Sequence, residues 1–439
     1  MIYCPAGGTL MDDKKFSWLK LDNAAKIYPA AKNRGWTALF RFTADFYREV
    51  DPDCLKIALD RTIKRFPWLA LRIRKGVFWH YFEHMDGAPD MQSDVANPCV
   101  RMKFSENNHF LFRVRYYDMH IAVEIFHSLT DGGGGLSFFK TLVAEYLTLR
   151  EGLVIPRDDD VLDCDDEPHP DEYEDSFLRL NTDATRSSME GYAYRVQATE
   201  EENDFVHITT GTLPADKVSL IAKSYGVSVT EFITALLIHS IHKQQARLKK
   251  RKQFKPVKIC VPVNLRKLFP TKTKRNFATY VNPGINPKYG EYSLREICKA
   301  VKGFMMLEVD DKKLRAKFSS NVKVEKNILL RLCPLILKIP IMKLSFRVLG
   351  DKQTSSCFSN LGLANLPSPM AEAVKHIDFI LGPLQLNRLV ASCLTHQNEL
   401  RIHFTRTLKE SEIERNFFCS LVEMGLPVTL ESNQLRKKG

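Results

Sequence analysis

Phe126-His127-Ser128-Leu129-Thr130-Asp131-Gly132-Gly133-Gly134-Gly135 is the stretch on which the reading of this chain turns. It closes an alternating segment: from Met119 to Phe126, Ile121, Val123 and Ile125 fall on one face and His120, Ala122, Glu124 and Phe126 on the other. His127 continues the apolar face, which predicts an imidazole at a strand end in a dry, walled position. Such a ring is neutral near pH 7 and takes a proton from a hydroxyl or an amine. The four glycines that follow predict backbone open to close approach by a ligand. Beyond them Leu136, Phe139, Leu142, Val143 and Tyr146 recur at helical spacing. The plainer reading of the same residues is a buried structural histidine, an aspartate that caps a helix and a flexible glycine turn.

Outward from this stretch, Asp51-Pro52 predicts the cap and first turn of a helix carrying Leu55, Ala58, Leu59, Thr62, Ile63 and Phe66, ended by Pro67. Val77 to Phe82 and Phe110 to Tyr117 read as strands. Ser228-Val229-Thr230-Glu231 is a capping-box pattern ahead of a second apolar helix. Pro256 to Leu265 alternates as a strand and delivers Arg266 at its far end. Eleven Asp or Glu residues crowd Asp158 to Asp175, which predicts a solvated connector and a domain boundary near 185. Their spacing lacks the glycine and ligand pattern of a calcium loop.

The composition is that of a globular protein: 439 residues, 44% hydrophobic, net charge +12. The positive balance suits an anionic partner, whether a nucleotide-bearing cosubstrate, an acidic carrier protein or a membrane surface. Nucleic acid is disfavoured, because no recognition motif accompanies the charge. The run Arg247 to Lys258, with Lys249-Lys250-Arg251-Lys252, reads as a solvated face, with phosphate binding as the sharper alternative. Ten scattered cysteines without a C-x-x-C pair or zinc spacing predict no metal site and no disulfide framework. With no signal-peptide pattern at the start, a reducing cytoplasm is the expected location. Ile328 to Leu349 is strongly apolar, but Pro334, Pro340 and several cations interrupt it. This excludes a spanning helix and favours core packing, with a channel wall or peripheral membrane contact as alternatives.

His127 to Gly132 also reads H-x-x-x-D-G, and the chain resembles the CoA-dependent acyltransferases. That superfamily includes chloramphenicol acetyltransferase, peptide-synthetase condensation domains, wax ester synthases and alcohol O-acetyltransferases. Pro262-Val263-Asn264-Leu265-Arg266 with Asn276-Phe277 resembles its arginine-bearing strand, and Ser359-Asn360-Leu361-Gly362 its serine-asparagine turn. Trp18 to Pro29 is similar to the opening of the bacterial alcohol-acetyltransferase-like branch. The Asp-Phe-Gly-Trp-Gly motif of the plant branch is absent. The resemblance implies an α/β fold of two chloramphenicol-acetyltransferase-like sandwich domains, residues 1–185 and 186–439, with the active site in a tunnel between them. It implies His127 as general base, a bidentate Asp131–Arg266 pair supporting the loop, and Asn360 as an oxyanion or substrate contact. Gly132, Gly133 and Ser359 would face the substrates. Acyl-CoA is the implied cosubstrate, with no bound cofactor and a small alcohol or amine as acceptor. A carrier-protein thioester as donor, and a catalytically silent binding protein of the same fold, are the alternatives.

Overall fold

The structure is a computed structural model that describes residues 17–26, 28–29, 37–184, 191–202, 205–248, 253–340, 342, 351–384 and 387–434. It is a mixed α/β protein with two large sheets, each carrying helices and its own apolar core. In chain order the first strands are β1 (Trp18–Lys20), β2 (Leu39–Phe46), β3 (Leu71–Lys75), β4 (His80–His84), β5 (Gln92–Ser93), β6 (Phe112–Tyr117) and β7 (His120–Phe126). Then come β8 (His207–Pro214), β9 (Val257–Asn264), β10 (Ala278–Val281), β11 (Gly284–Ile285), β12 (Ser356–Leu363), β13 (Val374–Leu381), β14 (Leu389–His396), β15 (Glu399–Arg406) and β16 (Thr429–Ser432).

Among the described residues the first large sheet has the order β13-β2-β7-β6-β5, and the second runs β10-β9-β12-β14-β15-β8-β16 with β11 beside β9. The two cores do not follow residue 185 strictly. Strand β13 comes from the second half of the chain, yet it pairs antiparallel with β2 along Val374–Leu381, and its Ile377 and Phe379 join the first core. β13 also ties the sheets together. Ser392 Oγ of β14 donates to the Phe379 carbonyl at 2.7 Å, and Arg401 of β15 binds Asp378 at 2.6 Å.

Local chemistry explains one helix of each core. Asp51 accepts from the N–H groups of Asp53 and Cys54 and opens the helix Pro52–Arg65, whose buried face is Leu55, Ala58, Leu59, Thr62 and Ile63. Ser228 and Glu231 close a reciprocal capping box on the helix Val229–Ala246. In the first core, β7 is buried on both faces. Its outward residue Glu124 sits against Arg41 and Arg113, so the alternation read from the sequence does not leave a solvent side.

Four sequence expectations are corrected. Residues 76–79 form the turn ahead of β4 and are not part of a strand that begins at Val77. The glycines are not a loop: Gly132–Glu151 is one helix, and they are its first turn. The acidic segment is solvated only in part: Asp158, Asp159, Asp160, Asp165, Asp166, Glu167 and Asp171 are exposed, but the segment is also anchored to the fold. Arg65 grips Glu172 through two bonds of 2.6 and 2.7 Å, Arg61 reaches Asp165 at 2.8 Å, and Val161 and Leu162 enter the core. Glu172 is buried because the helix Pro52–Arg65 turns Arg65 toward it. Finally, Ile328, Leu329, Leu332, Ile336 and Leu337 are exposed rather than core, and residues 341 and 343–350 lie outside the described residues.

Candidate active site

The His127 backbone N–H donates to the Ala38 carbonyl at 2.9 Å, one residue past the end of β7, so the end of the β2–β7 ladder inside the first sheet sets the ring's position. Tyr28 stacks on the imidazole at 4.8 Å with an interplanar angle of 17°, and Phe40 meets it edge-on at 5.2 Å. With these aromatic walls the residue is half-buried. Burial holds its basicity below the ordinary histidine value of about 6.5.

The second half of the chain determines which nitrogen is free. His127 Nδ1 lies 3.2 Å from Asn276 Oδ1. The Asn276 amide nitrogen donates to Asp22 Oδ2 and to the Ser128 carbonyl, each at 3.3 Å. The Ser128 carbonyl can only accept, which puts the amide nitrogen on that side and the amide oxygen toward the ring. Nδ1 therefore carries the proton and Nε2 keeps its lone pair.

Asp131 is the cap of the glycine helix. Its Oδ1 accepts from the N–H groups of Gly133 and Gly134 at 3.1 Å, and its Oδ2 accepts from Arg266 Nη1 at 2.9 Å and from the Phe277 N–H at 2.7 Å. Burial alone would push this carboxyl up. Arg266 and the N–H donors outweigh it and hold the group below the ordinary aspartate range. The pair is not bidentate as the resemblance implied. Only Nη1 touches Asp131, while Nε donates to the Thr273 carbonyl at 2.6 Å and Nη2 to that of Arg275. Arg266 thus fastens the segment Thr273–Phe277 across the start of the helix, and Asn276 rides on that segment.

The glycines serve the same contact. A Cβ on Gly134 would stand 1.9 Å from the Lys274 carbonyl oxygen and 2.2 Å from Thr130 Oγ1, and one on Gly135 would strike Phe40 at 2.7 Å. Gly132 faces Leu361 and Phe379, and Gly133 faces Arg266 and Asn264. At Gly134 and Gly135 the close approach is made by protein, while Gly132 and Gly133 stay half-exposed. Gly134→Ala is expected to lower stability by roughly 1–3 kcal/mol, read as a shift in urea midpoint. Gly133→Ala, whose nearest neighbour is at 3.4 Å, should cost less. Equal midpoints for the two variants would remove the argument.

Ser359 and Asn360 lie inside β12 and not in a turn after it; the strand is irregular between Asn360 and Leu363, where Gly362 takes φ 84°. Ser359 is buried against β14, and Leu361 is the residue that reaches Gly132. The Asn360 amide is largely engaged: its oxygen accepts from the Gly362 N–H at 2.7 Å and its nitrogen donates to Thr230 Oγ1 at 3.0 Å. That leaves one N–H for any other partner.

Three residues of the site escaped the sequence reading. Asn276 stood in the quoted Asn276-Phe277 pair with no role attached, and Asp22 and Tyr28 stood in the opening segment. Their signal was proximity in a matched motif; their function depends on a contact 149 residues distant, between His127 and Asn276.

The basic residues gather elsewhere. A cavity of about 610 Å³ is lined by Tyr192, Tyr194, Arg195, Gln197, Lys255 and Lys352, among others, with three cations and no acid. It opens at the start of β9, roughly 25 Å along the strand from Arg266. Lys249 to Lys252 lie outside the described residues. No group of side chains among the described residues is arranged to hold a metal ion, and no single helix among them is long and apolar enough to cross a membrane.

No protein-family model matches the chain, and no curated protein matches it in sequence. Solved structures do match in shape. A trichothecene 15-O-acetyltransferase from Fusarium sporotrichioides, TRI3, superposes with TM-score 0.60 at 12% identity, covering 93% of this chain and 96% of its own. TRI101 from the same organism, solved with coenzyme A and T-2, gives 0.63 at 10% identity over 95% and 100%. A nonribosomal peptide synthetase, FmoA3, gives 0.61 at 12% identity, with 94% of this chain matching 42% of that one. The fold is that of the CoA-dependent acyltransferases and condensation domains. At these identities the likeness speaks for the fold, and the site must speak for the chemistry.

Proposed function

We propose that the protein transfers an acyl group, acetyl in the first instance, from acyl-CoA to an alcohol hydroxyl in a reducing cytoplasm. The observation that carries this reading is the contact of His127 Nδ1 with Asn276 Oδ1, from which we infer that the proton sits on Nδ1 and Nε2 is left as a base of lowered pKa. Nε2 takes the acceptor's proton as its oxygen bonds to the thioester carbonyl carbon. The tetrahedral oxyanion then collapses, the carbon–sulfur bond breaks, and the imidazolium returns its proton to the departing thiolate. The remaining N–H of Asn360 is the candidate oxyanion donor, since Asp131 already holds the N–H groups of Gly133, Gly134 and Gly135. No covalent acyl-enzyme is needed, because the histidine acts as base rather than nucleophile.

The likeness to TRI3, an O-acetyltransferase, and to TRI101 with coenzyme A supports this reading over a silent scaffold. It is tested by mass spectrometry of products after incubation with acetyl-CoA and a mixed set of alcohols and amines. An acetyl ester is the expected product, and the absence of any acylated product would refute the assignment. An amide would correct the acceptor class, and transfer only from an acylated carrier protein would correct the donor.

The pH profile supplies a second check. A base is active when deprotonated, and burial lowers the pKa of His127, so the acid limb of kcat/KM should have its midpoint below about 6.5. A midpoint above 7 would assign the base elsewhere.

A further inference from the structure

We propose that the face made by the β3–β4 turn and residues 328–338 docks on an anionic lipid surface. The turn exposes Val77 and Phe78, and the short helix Ile328–Leu332 with the segment after it exposes Ile328, Leu329, Leu332, Ile336 and Leu337, the last two 82% and 59% open. These two elements form one surface. The Leu335 N–H donates to the Val77 carbonyl at 2.8 Å, and Lys338 Nζ donates to the Phe78 carbonyl at 2.9 Å while lying 3.9 Å over the Trp79 ring. Isolated exposed apolar residues are ordinary, but a group of seven gathered on one face marks a docking surface.

Charge identifies the occupant. Arg74, Lys75, Lys323, Lys326 and Arg331 are exposed around the apolar residues. The carboxylates close by are already bound: Glu83 by Arg72 and Arg74, and Glu325 by Lys26 and Asn23. Apolar side chains within a ring of cations fit the boundary between headgroups and acyl chains of an anionic bilayer. A second copy of the chain would bring the same cations against themselves, which disfavours self-association through this face. The surface is also continuous with the candidate site: Lys26 lies 5.6 Å over the other contact of this patch, the Trp79 ring, and Tyr28, two residues on, stacks on His127. The inference stands apart from the acyl-transfer reading, since binding is measured without turnover.

Flotation of the full chain with phosphatidylcholine vesicles, with and without phosphatidylglycerol, tests it. Wild type should float only with the anionic vesicles, and added salt should release it. Leu329→Glu with Ile336→Glu should weaken partition by roughly tenfold or more, with an unchanged melting temperature. Lys75→Gln with Arg331→Gln should weaken it on anionic vesicles by acting on the electrostatic part alone. Failure to float with either vesicle, equal partition of wild type and the glutamate variant, or a wild-type dimer that the variant abolishes in place of vesicle binding would each overturn the proposal.

Discussion

His127→Ala should reduce kcat for acetyl transfer by about 10²–10⁴-fold, the usual worth of a positioned general base, while the melting temperature moves little. The asymmetry follows from what the ring touches. It packs against Tyr28 and Phe40 and donates to Asn276, but it lies at the rim of the core and not in it. Asp22 and the Ser128 carbonyl continue to hold Asn276 once the ring is gone. Truncation therefore removes the one lone pair at the site and leaves the frame standing. Turnover at the wild-type rate with either acyl donor would exclude His127 as the base. A large fall in melting temperature alongside lost activity would instead make it a structural histidine.

Much of the local structure was readable because its determinants are adjacent in sequence. Asp51, Ser228 and the alternation of β6 and β7 each act within a few residues, and the helices and strands they predict are present. The unread parts depend on distant partners. Most of the eleven acids in eighteen positions are exposed as their density suggests, but Glu172 is buried because the helix Pro52–Arg65 presents Arg65 to it. Four glycines suggest a ligand loop until Lys274 and Phe40 occupy the space beside Gly134 and Gly135. Ile328, Leu329, Leu332, Ile336 and Leu337 read as core because their hydrophobicity is core-like; nothing in the local pattern says that no described element covers them. The proton on His127 is the sharpest case. The ring nitrogen, the amide that orients it and the carboxylate that orients the amide are separated by 149 and 254 residues.

Arg266→Met should destabilise the fold by about 3–5 kcal/mol, because the Asp131 carboxylate would remain buried without its cation, and the Thr273 and Arg275 carbonyls would lose their donor. The pH dependence of this loss is diagnostic. In wild type the carboxyl titrates below its unfolded value, so its contribution is present above about pH 4 and is lost as the pH falls through the lower, folded value. Without Arg266, burial becomes the dominant influence and the folded pKa rises above the unfolded one. The folded variant then favours the protonated form, and its deficit should be greatest at pH 8 and smaller at pH 5. Asp131→Asn retains a capping side chain but turns an amide N–H toward either the helix donors or the Arg266 and Phe277 donors, so it is destabilising as well. Combining the two changes removes both charges. The double variant should therefore be less unstable than the sum of the singles by about 1–3 kcal/mol, measured as urea midpoints at both pH values. Because Asn276 rides on the segment that Arg266 fastens, kcat should fall in each single variant by about 100-fold, the scale of a misplaced catalytic group. Two stable single variants with additive effects and full activity would show that the Asp131–Arg266 contact does not hold the site together.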